Sequence, residues 1–364
     1  MLEQLMRYRS ELHKIPELGH EEIKTKAYIM SVLEKLNCHV EEIHTTGIVA
    51  FFDFKMSDTI AFRTDMDGLP IAEATGLDYA SVHTGKMHAC GHDGHMAMVL
   101  MLANYVNEHA EVLEKNVVLI FQPSEEKEAG ARFIVNSGVL EKFGISEIYG
   151  IHLWPKLPIH EIYSRPNEFM AMGSEVTVKI IGKSAHVADA KNGIDALYAA
   201  SSFVTKVYEM EKAMSQDVPH LLKFGSFKSG TARNIISDET ILEGTARSFS
   251  SETQQFFKNS LRKMADDCEK EYGCKIDISY NDGYDVVIND EKLFNLVQSK
   301  IKYVKLLDEP VLQSEDFGLY RKIAPSVFFF LGVGDTETLH NEKFDFDIKV
   351  LETGVKLYID LLKK

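Results

Sequence analysis

Residues 117–121 read Val-Val-Leu-Ile-Phe, five apolar side chains in a row. Neighbouring side chains of an extended strand face opposite ways, so an unbroken apolar run requires burial on both faces. A parallel sheet covered by helices supplies that environment, and the run therefore points to an α/β fold. Further strand-like runs at 47–54, 59–63, 148–153 and 326–331 alternate with helical spacings. One such spacing is Ile23, Ala27, Met30, Leu33 and Leu36, set off by Pro16 from an earlier group of Leu5, Leu12 and Ile15. The prediction is a central, mostly parallel sheet flanked by helices.

From Gly173 the pattern changes. Strand at 175–181, helix at 193–214, strands at 221–227 and 240–249, helix at 253–272 and strand at 275–280 give the order βαββαβ. That order is a split βαβ unit, complete in itself. It predicts an inserted, ferredoxin-like α+β domain at 174–283, with 1–173 and 284–364 forming one domain around it. A length of 364 residues with 45% hydrophobic side chains can bury cores for both.

The chemistry concentrates at 87–95, where Met-His-Ala-Cys-Gly-His-Asp-Gly-His holds one thiol, three imidazoles and a carboxylate. Cys90 and His92 stand in Cys-x-His spacing around a glycine, a metal-ligand signal that is incomplete by itself. Helical periodicity follows from Met96, so the cluster sits on a turn entering a helix. Asp65 and Asp67, after the 59–63 strand, would point the same way from extended chain, although Asp before Gly also suits a plain turn cap. The 117–121 strand runs into Gln-Pro-Ser-Glu-Glu, ending at Glu125 and Glu126. In extended chain these two would face opposite ways, one to bind metal and the other to handle protons, whereas a helix N-terminus would also accept them. His152 and His340 each lie near a strand end, where a lone histidine is ordinarily structural.

Composition excludes several classes. A net charge of −15 makes a phosphate-backbone partner a poor match, and no run is long and apolar enough to span a membrane. The N-terminus lacks a basic stretch followed by an apolar one, so no secretory leader is expected and the cytoplasm is the default compartment. Four cysteines in so long a chain do not make a disulfide framework.

With these stretches laid out, the chain resembles the M20 family of metallopeptidases, in its amidohydrolase branch of hippurate hydrolases, auxin-conjugate hydrolases and N-acetyl-diaminopimelate deacetylases. The likeness runs the whole length, through 11–19, 63–70, 87–95, 121–126, 152–155 and 314–317. It implies that Cys90, His92, Glu126, His152 and His340 hold two divalent ions, that Glu125 is the catalytic base and that Asp67 orients a ligand. Asp65 occupies a place where other branches carry a metal histidine. His186 and Asn234 of the inserted domain match residues that contact substrate, and in related dimers that histidine comes from the partner subunit. The sequence departs from the branch at 187–190, 127–129 and 236–237, loops expected to border the substrate pocket.

The implied activity is hydrolysis of a small N-acyl amino acid, N-acetyl or aromatic acyl, by metal-activated water, with dipeptide cleavage or N-acetyl-diaminopimelate deacetylation as alternatives. Glu125 would move the proton and His186 would donate to the oxyanion. Asn234 and Arg247 would hold the substrate carboxylate, Arg247 by a two-point fork. A thiolate favours zinc, while the carboxylate and imidazole ligands also accept manganese, cobalt or nickel. The resemblance further implies a homodimer or higher homo-oligomer. Two rival readings are a Cys90 nucleophile with a histidine base and a catalytically silent metal-binding homologue.

Overall fold

The computed structural model describes residues 1–215 and 219–363. The chain divides into two units, one made of 1–169, 287–309 and 316–364, the other of 170–286 together with 310–315. The first unit opens with helices α1 (Leu2–His13) and α2 (Ile23–Leu33) and strands β1 (His39–Ile43), β2 (Gly47–Phe52) and β3 (Thr59–Asp65). It continues through α3 (His92–Glu108), β4 (Asn116–Gln122), α4 (Ala131–Asn136), β5 (Ile145–Trp154), β6 (Ile162–Ser164) and β7 (Asn167–Met170).

The second unit holds β8 (Met172–Ile181), α5 (Ala196–Ala213), β9 (Leu221–Ser229), β10 (Glu239–Ser248), α6 (Ser251–Tyr272) and β11 (Lys275–Tyr284). The chain then returns to the first unit for β12 (Val287–Asn289), α7 (Glu291–Lys300), β13 (Val304–Leu306), β14 (Ser326–Gly332) and α8 (Val350–Leu362).

An eight-stranded sheet in the order β1-β2-β4-β3-β5-β14-β6-β13 forms the first unit. Its centre, β4-β3-β5-β14, is parallel, and every residue of β3, β4 and β14 is buried. Helix α3 is buried along most of its length as well, since Met96, Ala97, Val99, Leu100 and Ala103 belong to the same core as the sheet. The chain leaves β3 through α3 to β4 on one side and later reaches β5 on the other. Connections therefore diverge at the carboxyl ends of β3 and β5, where open α/β sheets build sites.

The second unit is an antiparallel sheet in the order β11-β8-β10-β9. Helices α5 and α6 bury Phe203, Val207, Phe257, Leu261 and Cys268 in a core shared with Val176, Val178 and Ile180 of β8. Asp195 and Ser250 cap the two helices by accepting N–H groups of their first turns.

Local structure differs from the sequence expectation at several points. Helix α3 starts at His92 rather than Met96, because Gly91 adopts φ +85° and lets the chain turn directly into the helix. The family-like stretch 314–317 leads into a short 3-10 segment, Asp316–Lys322. Strands β1, β6 and β13 lie toward the margins of the sheet and carry too little apolar pattern to be read from sequence. Among the described residues no helix is long and apolar enough to cross a membrane, and all four cysteines are unpaired.

A buried ionic cluster ties α1 to the start of α3. Arg9 Nε and His13 Nδ1 both donate to Asp93 Oδ2, at 3.1 and 2.8 Å, while His13 Nε2 reaches Glu73 Oε1 at 3.1 Å. Burial alone would lower the His13 pKa from its ordinary 6.5, but Asp93 and Glu73 outweigh burial and raise it to about 9. A folded-state pKa above the unfolded one stabilises fully below pH 6.5 and is lost as pH rises through 9. A shift of this size corresponds to about 3 kcal/mol. Thermal unfolding should therefore show Tm falling between pH 6.5 and 9, with the slope much reduced in His13→Gln; identical slopes in the two proteins would refute the assignment.

Candidate active site

Five side chains of the first unit converge at the carboxyl ends of the parallel strands. Cys90, His92 and His152 form one group whose ligand atoms lie within 4.8 Å of one another, and Cys90, Glu126 and His340 form a second. Cys90 belongs to both groups. Its Sγ is 3.4 Å from His152 Nε2, and His340 Nε2 is 3.0 Å from Glu126 Oε1. Glu125, His92 and Glu126 make a third overlapping group, which brings the second carboxylate beside the first two.

Backbone contacts settle which nitrogen each imidazole presents. His92 Nδ1 donates to the Asp67 carbonyl at 2.9 Å and His152 Nδ1 to the Leu153 carbonyl at 2.7 Å. A carbonyl can only accept, so both rings turn Nε2 and its lone pair inward. His92 Nε2 is buried without a hydrogen bond. A buried imidazole nitrogen with no hydrogen-bond partner, beside a thiol and two further imidazoles, fits a metal ligand.

Electrostatics agree. Burial would lower the His92 pKa, yet Asp65, Asp67 and Glu126 raise it to about 10, so the pocket favours positive charge. Burial, with Glu126, Glu125 and Asp65 around it, drives the Cys90 thiol well above its ordinary range. Such a thiol is the opposite of an activated nucleophile, whose pKa must fall. A cation between these groups would reverse the penalty and stabilise the thiolate.

Asp65 and Asp67 have different tasks. Asp65 Oδ1 accepts from His95 Nδ1 and Oδ2 from Arg63, both at 2.8 Å. His95 Nε2 in turn accepts the Leu153 N–H at 2.9 Å. Both nitrogens of His95 are thereby engaged, and this third imidazole of the cluster buttresses the site from behind. Arg63 also reaches Gln122 and Asp316, each at 2.8 Å, and Gln122 donates to both oxygens of Asp316. These buried bonds lock the ends of β3 and β4 to the Asp316–Lys322 segment. The sequence signal for Arg63 was a lone cation closing the apolar stretch 60–62.

Asp67 holds the turn that carries the two glutamates. Its Oδ1 accepts the Glu125 N–H and its Oδ2 the Glu126 N–H, both at 3.0 Å. The expectation that Glu125 and Glu126 face opposite ways in extended chain is corrected here. Strand β4 ends at Gln122 and Ser124 takes φ +56°, so the glutamates sit on a turn and both reach toward His92. Asparagine at 67 would keep one acceptor and turn an NH2 group toward the second amide. An unpaired buried amide costs about 1–3 kcal/mol, and loss of a supporting contact of this kind lowers activity on the order of 10–100-fold. Asp67→Asn should accordingly lose both Tm and kcat, and parental values of both in thermal melts and turnover assays would exclude the role.

The remaining sequence candidates, His186, Asn234 and Arg247, belong to the second unit. Residues 185–187 run beside 234–236, with the Val187 N–H donated to the Asn234 carbonyl at 3.1 Å and the Ile236 N–H to the Ala185 carbonyl at 2.8 Å. His186 Nδ1 accepts the Ala188 N–H at 3.1 Å, so a neutral ring carries its proton on Nε2. His186 and Asn234 are exposed. Arg247, on β10, donates to Ser314 Oγ.

Comparison with known proteins gives concordant results. The family described as Peptidase family M20/M25/M40 matches residues 61–364. N-acetyldiaminopimelate deacetylase of Streptococcus uberis is 38% identical, covering 98% of both chains, and that of Streptococcus sanguinis is 36% identical, covering 96% of this chain and 95% of its own. The crystal structure of Bacillus subtilis YXEP protein, described as a dinuclear metal binding peptidase from the M20 family, superposes with a TM-score of 0.85 at 30% identity, covering 99% of this chain and 97% of that one.

Proposed function

The chain belongs to peptidase family M20/M25/M40 and is a metal-dependent amidohydrolase, and from that premise we propose that it removes the acyl group of a small N-acyl amino acid, with N-acetyl-diaminopimelate as the foremost substrate. The observation that carries this reading is the pair of ligand groups sharing Cys90, with Glu125 beside them. The donor set of thiolate, imidazole and carboxylate fits two divalent ions, with Cys90, His92 and His152 around one and Cys90, Glu126 and His340 around the other. Zinc is our first assignment because of the thiolate, with manganese as the alternative.

Ions bound there supply Lewis-acid polarisation of the acyl carbonyl and acidify water. The protein's own part begins with Glu125, a carboxylate only 6% exposed. It takes one proton from water as the oxygen adds to the carbonyl carbon, then delivers that proton to the amide nitrogen as the carbon–nitrogen bond breaks. Products are the carboxylic acid of the acyl group and the free amine, which part as carboxylate and ammonium once water's second proton passes to the amine. The assigned donor to the developing oxyanion is His186 through Nε2, the nitrogen that its contact with Ala188 leaves protonated. Asn234 and the Arg247 guanidinium are assigned to the substrate's carboxylate.

The substrate names of the two streptococcal relatives support the acetyl group and diaminopimelate. A panel of N-acetyl-diaminopimelate, other N-acetyl amino acids, N-benzoyl amino acids and dipeptides, each with added zinc or manganese, tests the reading. The expected result is the highest kcat/KM for N-acetyl-diaminopimelate; a clear preference for dipeptides would overturn the substrate assignment.

A further inference from the structure

The turn that carries Glu125 is gripped at three successive amides. Asp67 holds those of Glu125 and Glu126, while the Ser124 N–H is donated to Glu22 Oε1 at 2.8 Å. Glu22 is fully buried. Its other oxygen, Oε2, accepts the Thr46 hydroxyl at 2.7 Å. We propose that Glu22 is a positioning residue for the catalytic step, fixing the Glu125 carboxylate through the Ser124 amide. The proposal rests on the reading of Glu125 as the base.

Three features of the neighbourhood support it. Ser124 is a non-glycine residue at φ +56°, a conformation that persists only where its surroundings enforce it. An acceptor on its N–H, together with the Gly130 N–H on its carbonyl at 2.9 Å, is such enforcement. Secondly, a Cβ at Gly19 would come 2.5 Å from Ser124 Oγ, so the loop leading to Glu22 is pressed directly against the turn. Thirdly, that loop is anchored to the other arm of the site. The Gly68 N–H is donated to the Glu17 carbonyl at 2.7 Å, and the Glu17 carboxylate accepts the N–H groups of Lys24 and Thr25 at the start of α2.

A residue that only filled space here would be better apolar, because burying a carboxyl group without a cation is unfavourable. What a carboxyl adds is an acceptor placed at the residue before the base. Without it the Ser124 amide is released, the turn relaxes toward extended chain, and the Glu125 carboxylate moves off its line to the reacting water. A displacement of this kind penalises turnover more than binding.

Four variants test this with N-acetyl-diaminopimelate as substrate: Glu22→Ala, Glu22→Gln, Thr46→Val and Glu125→Gln. Glu22→Ala should lose on the order of 10–100-fold in kcat, with little change in KM and unchanged metal content, and should show faster hydrogen exchange in a peptide spanning 123–127. Glu22→Gln retains an oxygen for the Ser124 N–H and should recover most of the loss. Thr46→Val unpairs the other oxygen and lowers Tm but leaves the tether, so its kcat should stay near the parental value. If Glu22→Ala does not fold, Glu22→Leu fills the space without an acceptor and takes its place. Parental kcat in Glu22→Ala or Glu22→Leu beside an inactive Glu125→Gln overturns the positioning role alone. A loss of kcat in Thr46→Val as large as that in Glu22→Ala overturns it equally. An active Glu125→Gln removes the base assignment and this proposal with it.

Discussion

Glu125→Gln should retain its metal content and a near-parental Tm while kcat falls on the order of 10²–10⁴-fold, the usual contribution of a positioned general base. Glutamine matches glutamate in shape and still accepts hydrogen bonds, but it cannot take a proton at any pH near neutrality. The Glu125 backbone is held by Asp67 independently of its side chain, so the turn survives the substitution. The measurement is a steady-state assay beside metal analysis of the same preparation. Wild-type turnover in Glu125→Gln would exclude the general-base mechanism. Loss of metal together with loss of activity would instead reassign Glu125 as a ligand.

Removing metal should abolish activity and lower Tm by several degrees, and zinc or manganese should restore both. The physical reason lies in a ligand nitrogen that a cation would partner and in the negative charge gathered around it. His92 Nε2 is buried without a hydrogen bond, and Asp65, Asp67 and Glu126 crowd negative charge around His92. An ion present at 100 times its Kd stabilises the folded state by about 2.7 kcal/mol, enough to read in a melting curve. Chelator dialysis followed by add-back, monitored by turnover and differential scanning fluorimetry, is the experiment. A Cys90 nucleophile predicts the reverse pattern, with activity indifferent to chelator and destroyed by iodoacetamide. The buried thiol, with its raised pKa, argues against that pattern.

Much of the architecture was legible because burial leaves a mark on composition. The apolar runs at 117–121 and 326–331 are the fully buried centres of β4 and β14, and the βαββαβ order of the second unit follows from alternating periodicities. Strands such as β1 and β13 escaped notice because a short strand at the margin of a sheet owes its existence to its neighbour's hydrogen bonds. The segment 310–315, which joins the second unit although it lies beyond the contiguous stretch, carried no local signal either.

At the site, chemical character belonged to the sequence and individual duty did not. A thiol, imidazoles and carboxylates at strand ends announced cation chemistry, and those residue types fix which charges and donors are on offer. Which nitrogen of His92 points inward, why His95 is a buttress, and how Asp67 and Glu22 divide three consecutive amides between them depend on partners up to 102 positions apart in the chain. A hydrogen bond is decided by distances of a few ångströms and by direction, and only the folded backbone sets either one.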